Sequence, residues 1–146
     1  MPLALLPLAL FLFATPPVSL FDGKTFHGWE GDTKNTFRIE SGAIVGGSLD
    51  AKVPRNEFLC TTKEYGDFEL RLKFKVLGKG ANAGVQIRSR RVPNHHQLWI
   101  NGRQTVDYTE PDEAIEQRGL IGLQIHGGQP SEAWYKDIVI EELDSK

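Results

Sequence analysis

Between Phe68 and Val76 the chain alternates without a break, with Phe68, Leu70, Leu72, Phe74 and Val76 in one phase and Glu69, Arg71, Lys73 and Lys75 in the other. Successive side chains of a strand project to opposite faces, so this stretch predicts a strand with one buried and one wet side. "FRIESGAIVGG" predicts two short strands around Ser41-Gly42, and "LWINGRQTVDY" two more around Asn101-Gly102, the dipeptide suited to a tight type I′ hairpin turn. "AGVQIRS", "LIGLQIHGG" and the closing "WYKDIVIEEL" each add a strand. Only "PDEAIEQ", from Pro111 to Gln117, predicts helix, and then one turn before Gly119. Many short strands separated by Gly and Pro imply an all-β fold, an antiparallel β-sandwich or jelly roll.

Two of these strands carry unusual polar faces. In "LIGLQIHGG" Ile121, Leu123 and Ile125 share one side while Gly122, Gln124 and His126 share the other; in "AGVQIRS" Val85 and Ile87 alternate with Gln86 and Arg88. Were both strands in one sheet with their aliphatic residues turned inward, the two amides, the imidazole and the guanidinium would converge on its outer surface. Such groups suit hydrogen bonding to sugar hydroxyls or to a carbonyl oxygen. An ordinary face turned to bulk water is the equal alternative. Trp99, opposite in phase to Leu98 and Ile100, offers an apolar platform to a polar face, although plain packing is the commoner use of a Trp in a hairpin strand.

Composition narrows the partners. Lys and Arg number 17 against 19 Asp and Glu, a formal net charge of -2, which gives no electrostatic reason to expect nucleic acid or an anionic membrane. The opening "MPLALLPLALFLFATPPVS" holds an apolar run from Leu3 to Ala14 that breaks at Pro16 and Pro17, too short to span a bilayer comfortably. It reads as a secretory signal over residues 1–19, followed by one domain over 20–146; no Lys or Arg precedes the run, so an uncleaved anchor is the alternative. Export to the periplasm or the medium follows. The single cysteine, Cys60 in "FLCTT", can form no intrachain disulfide and reads as a buried core residue.

Other chemistries find less support. The glycines at 78, 80 and 84 of "GKGANAGVQIRS" do not fit G-x-G-x-x-G and no helix follows, which removes a nucleotide loop and leaves a turn with Asn82 at its tip. His95 and His96 are neighbours on a strand and point apart, so they share one ion only where the backbone is looped; Asp107 and Glu110 would have to complete a metal site at unknown distance. No metal and no cofactor is therefore expected. The carboxylates of "VDYTEPDE" could be offered as a glycosidase pair, but solvated loop residues are the simpler reading.

The blocks "LFDGKTFHGWEG", "FRIESGAIVGG", "DFELRLKFKVLGKGANAGVQIRSRRVPNHH", "WINGRQTVDYTEPDE" and "GLIGLQIHGGQPSEAWYKDIVIEEL", in this order, resemble the 3-keto-disaccharide (3-keto-glucoside) hydrolase domain family. The resemblance covers nearly everything after the signal segment and implies a concanavalin A-like lectin/glucanase sandwich, often exported by glycan-degrading bacteria. In that family a long central segment follows the stretch resembling "RRVPNHH"; here His96 joins Gln97 directly. Loss of that segment would remove several strands and leave strand edges open to self-association.

The resemblance also implies a reaction. A ketone at C3 of a sugar acidifies the C2 hydrogen, the C1 glycosidic oxygen is eliminated, and water adds back for a net hydrolysis. Such chemistry needs a base and an enolate stabiliser. By strand phase His126 is the base and Arg88 the charge for the C3 oxygen, with Gln86, Gln124 and Trp99 binding the sugar. The expected partner is then an oxidised glycoside. The alternatives are a non-catalytic, lectin-like carbohydrate-binding module and an inactive truncated remnant.

Overall fold

In the computed structural model the described residues are 16–89, 95–109, 111 and 118–143, and for Arg88 and Ser89 they comprise the backbone. Eleven strands are present among them: β1 (Val18–Ser19), β2 (Trp29–Glu30), β3 (Phe37–Glu40), β4 (Ala43–Ser48), β5 (Glu57–Thr61), β6 (Phe68–Leu77), β7 (Ala83–Ser89), β8 (His95–Ile100), β9 (Arg103–Thr109), β10 (Gly119–Ile125) and β11 (Ser131–Glu142). Their pairings are antiparallel. No helix occurs among the described residues, and most of "PDEAIEQ", residues 112–117, lies outside them. The all-β expectation holds.

One layer is a five-stranded sheet in which β11 is central: β4, with β3 beyond it, and β1 pair with it, and β6 pairs with it as well. The other layer is four-stranded in the order β2-β5-β10-β7. The layers meet through the residues whose phase points inward. Ile121, Leu123 and Ile125 of β10 and Leu59 of β5 are fully buried, as are Ile44 of β4 and Ala133 and Ile138 of β11. Each such aliphatic residue taken from water contributes roughly 1.5–3 kcal/mol, and that shared burial fixes which side of every strand faces out.

Local turn chemistry sets the connections. Ser41 and Gly42, at φ 49° and 71°, join β3 to β4, and Asn101 and Gly102, at 50° and 76°, join β8 to β9. Consecutive left-handed residues make the turn whose twist matches antiparallel strands, as the dipeptides predict. Gly47 is required for two reasons. Its φ is +83°, and a Cβ there would lie 2.3 Å from the Ser131 carbonyl oxygen.

Three features differ from the sequence expectation. β6 alternates as predicted, but Phe74 in its inward phase is 52% exposed; among the described residues β6 pairs with β11 alone, at the edge of its layer. Cys60 is not a core residue: Leu59 and Thr61 take the inward phase of β5, and Cys60 is half-buried on the outer side. β1 pairs Val18 with Ile140 and Ser19 with Val139, so the sheet begins two residues before the domain start expected at Leu20. The β8–β9 hairpin forms a separate two-stranded sheet and exposes Leu98, Ile100, Val106 and Tyr108.

Candidate active site

The two polar strands are neighbours. β7 and β10 pair along their whole lengths, with Gln86 opposite Gly122, Gly84 opposite Gln124 and Arg88 opposite Leu120. Directly paired residues share a face, so Gln86, Gln124 and the Arg88 position lie together on the outer surface of the four-stranded sheet. The position over Gly122 is flanked by side chains of β5: a Cβ there would stand in ordinary contact, 3.4 Å from Cys60 Sγ and 3.8 Å from Phe58 Cδ1. β5 thereby adds Phe58 and Cys60 to the same face, opposite Gln124 and Gly122.

The central amides are already ordered. Gln86 Nε2 donates to Gln124 Oε1 at 3.2 Å, which leaves the Gln124 amide nitrogen with its own protons to offer. The backbone beneath is fixed from the core. Tyr135 is 1% exposed and reaches across from β11; its hydroxyl donates to the Gln124 carbonyl at 2.7 Å and lies 3.0 Å from the Gly84 carbonyl, the two residues of one ladder row. Burial pushes the Tyr135 phenol well above its ordinary value, so it stays a donor at any physiological pH.

His126 follows the last residue of β10. Its N–H donates to the Asn82 carbonyl at 3.0 Å, and the next N–H, of Gly127, donates to Asn56 Oδ1 at 2.9 Å, so the strand direction continues one residue past the ladder. The exposed ring places Nδ1 2.7 Å from the Gly127 carbonyl oxygen. A carbonyl only accepts, so Nδ1 carries a proton, and in the uncharged form of the ring Nε2 is the nitrogen with the lone pair. That is the tautomer a general base requires.

Register separates what strand phase had grouped. His126 stands next to the Gln124–Gly84 row, whereas Arg88 is on the Leu120 row, six residues away along β10, or roughly 20 Å at about 3.3 Å per residue. One sugar ring spans far less. Arg88 and His126 thus occupy opposite ends of one face with the Gln86–Gln124 pair between them.

Trp99 lies elsewhere. It belongs to the β8–β9 hairpin, opposite Gln104, and is 54% exposed. On that hairpin His95 Nε2 lies 2.5 Å from Asp107 Oδ1, while Gln97 and Gln104 donate to Asp107 Oδ2 at 3.2 and 3.0 Å. The His95 hydrogen bond and the two amides hold the Asp107 carboxyl below its ordinary range. His96 stacks on Tyr108 with ring centroids 6.3 Å apart. Among the described residues no cluster of three metal-ligating side chains occurs; Glu110, Asp112 and Glu113 lie outside them.

Asn56, Phe58 and Asn82 border the site without having been singled out for it. Phe58 was hidden because "EFLCT" is nearly continuous in apolar residues and has no clear period. Asn56 has no signal at all in the sequence. Asn82 reads there simply as a turn residue.

Comparison with known proteins places the fold and the family. A crystal structure of a candidate glycosyl hydrolase from Parabacteroides distasonis superposes with a TM-score of 0.67 at 17% identity, covering 88% of this chain and 94% of that one. A second, from the same organism, gives 0.67 at 15%, covering 88% and 100%. A 3-keto-disaccharide hydrolase from Bacteroides thetaiotaomicron is 35% identical over 75 residues, 47% of this chain and 26% of that protein, so the chain spans about a quarter of the relative. The family model for the 3-keto-alpha-glucoside-1,2-lyase-like domain matches residues 16–97 and 91–141, two pieces that overlap where His96 joins Gln97. With nearly all of its length from Pro16 to Glu141 matched, this chain belongs to the 3-keto-alpha-glucoside-1,2-lyase-like domain family.

Proposed function

We propose that the outer face of the four-stranded sheet cleaves the glycosidic bond of an oxidised, 3-keto glycoside, and that the protein does so after export. The observation that carries this reading is the exposed His126 ring, whose Nδ1 proton is engaged by the Gly127 carbonyl, two residues along the chain from the Gln124 that hydrogen-bonds Gln86. Nε2 takes the C2 proton; the electron pair of that C–H bond becomes the enolate of the C3 ketone. Collapse of the enolate forms the C1–C2 double bond and expels the C1 oxygen, which takes a proton to leave as an alcohol. Water then adds at C1 and C2 regains a proton, so the balance is hydrolysis.

The row spacing changes one role assigned by strand phase. The C2 proton and the C3 oxygen belong to one ring, so the stabiliser must stand within a few ångströms of the base. The Gln124 amide nitrogen, two residues or roughly 7 Å of strand rise from His126, is the nearer donor for that oxygen. Arg88, roughly 20 Å away by strand rise, fits a more distant part of a longer substrate. Trp99 serves the same end only from the hairpin.

The experiment compares a 3-keto disaccharide with its unoxidised parent. Turnover should be confined to the keto substrate, since without the ketone the C2 proton is far too weakly acidic. His126→Ala should lower it by roughly a hundredfold to ten-thousandfold, the usual span for a general base, with folding checked by circular dichroism. A folded His126→Ala protein working at the parent rate overturns the proposal. Affinity for sugar with no turnover in any variant establishes a binding module instead.

A further inference from the structure

The opposite layer carries a depression. On the outward face of the five-stranded sheet a shallow basin of about 310 Å³ is lined by Lys73, Lys75, Lys136, Trp134 and Ala43, among others. Its residues come from β4, β6 and β11 through register: Trp134 is opposite Lys75 and Val45, and Lys136 is opposite Lys73. Ala43, only 3% exposed, is small enough to leave the floor open.

The charges there are not arranged as on an ordinary wet face. Lys73 and Lys136 are a like-charged pair directly opposite one another, an arrangement that weakens strand pairing. Among the described residues Asp137 answers them: at the irregularity between Lys136 and Val139 it adopts φ 52° and pairs with Lys73 at 2.9 Å. Both lysines hold the Asp137 carboxyl below its ordinary range, the Lys73 hydrogen bond foremost. The neighbouring carboxylates Glu40 and Glu132 are engaged by Arg38, at 3.0 and 2.7 Å. Lys75 lies over the Trp134 ring, Nζ 4.2 Å from its centroid, and Trp134 is pinned in turn by its Nε1 bond to Glu132 Oε2 at 2.9 Å. A protein of net charge -2 thus gathers three ammonium groups around one apolar wall.

From this juxtaposition we infer that the basin binds an anionic sugar, a glycan ring bearing a carboxylate or a sulfate ester, at a site on the far side of the sandwich from His126. The anion bridges Lys73 and Lys136 and removes their mutual repulsion, while the ring carbons lie against Trp134 and the Lys75 stem. The volume stands at the lower end of small-ligand sites, enough for about one ring. This binding does not rest on the proposed reaction. It holds whether or not the other face is catalytic.

The test is calorimetric titration at low salt with oligogalacturonate, a sulfated galactan oligosaccharide, a neutral malto-oligosaccharide and inorganic sulfate. At least one of the two anionic sugars should bind about tenfold or more tightly than the neutral one, and whichever does so names the anion. The preference should shrink as salt is raised. Lys75→Gln and Lys136→Gln should each weaken binding severalfold, whereas Arg71→Gln, on the same strand outside the basin, should not. Ligand-free Lys136→Gln should melt no lower than the parent, because the repulsive pair has gone. Equal affinity for charged and neutral sugars overturns the inference, as does full binding by a folded Lys75→Gln/Lys136→Gln double variant. Inorganic sulfate binding as tightly as the sugars overturns the sugar part of it.

Discussion

Tyr135→Phe removes one oxygen atom and tests whether the candidate site is held from inside the core. The parent hydroxyl donates at 2.7 Å to the Gln124 carbonyl and stands 3.0 Å from that of Gly84, on a side chain that is 1% exposed. One proton serves two acceptors, so the net hydrogen bond is worth about 0.5–1.5 kcal/mol, and a buried carbonyl left short of a donor adds to the loss. A total of about 1–2 kcal/mol follows, with no cavity term because the ring remains. For a domain of this size that lowers Tm by roughly 3–10 °C and the urea midpoint by about 0.5–1.5 M. Urea unfolding of parent and variant at neutral pH measures it. Hydrogen exchange should also quicken at the Gly84–Gln124 row before it does at β3 or β4. An unchanged midpoint, or a loss spread evenly over both layers, would refute the idea that Tyr135 anchors this row.

Acid should destabilise the fold through its depressed carboxylates, Glu132 and Asp22 among them. Burial alone would raise the Glu132 carboxyl, but the Trp134 and Arg38 hydrogen bonds outweigh it and hold it below its ordinary range; the Lys24 and Thr25 N–H groups and the Thr25 hydroxyl hold Asp22 down to about 2. Both are depressed in the folded state, so their stabilisation is present above about pH 4.5 and is lost as pH falls toward 2, and Glu132→Gln should flatten that decline in a melting series. Because β1 pairs with β11 and the family match begins at Pro16, a chain processed at its N-terminus should start upstream of Val18, and N-terminal sequencing that reads Leu20 would contradict this. With Leu98, Ile100, Val106 and Tyr108 exposed on the hairpin and β7 at an edge of its sheet, sedimentation should show self-association that grows with concentration, whereas a sharp monomer at all concentrations would count against it.

Alternation and turn dipeptides made much of the sandwich legible. The strands around Ser41-Gly42 and Asn101-Gly102, and those holding Gln86 and Gln124, lie where period two places them, because each has a clear apolar phase. β1 and β2 were not legible, since two residues have no period, and β5 was masked by its near-continuous apolar run. The face of the candidate site was readable from phase. Its distances were not: nothing in "AGVQIRS" or "LIGLQIHGG" says which residues stand opposite, and only register sets Arg88 and His126 at opposite ends. For the same reason the basin was invisible, since Lys73 and Lys136 meet through the pairing of β6 with β11.

One core therefore supports two chemically different surfaces. Burial of Ile121, Leu123 and Ile125 commits Gln124 to the outside of one layer, and burial of Ala133 and Tyr135 commits Trp134 to the outside of the other. A slip of one residue in β10 or β11 would turn the whole outward set inside, so core packing protects both surfaces together. Outward residues carry no such shared constraint. Substitutions at His126 or Lys136 should leave the opposite surface unaffected, whereas the Tyr135 hydroxyl, which spans from β11 to the Gln124 carbonyl, is placed to couple the layers.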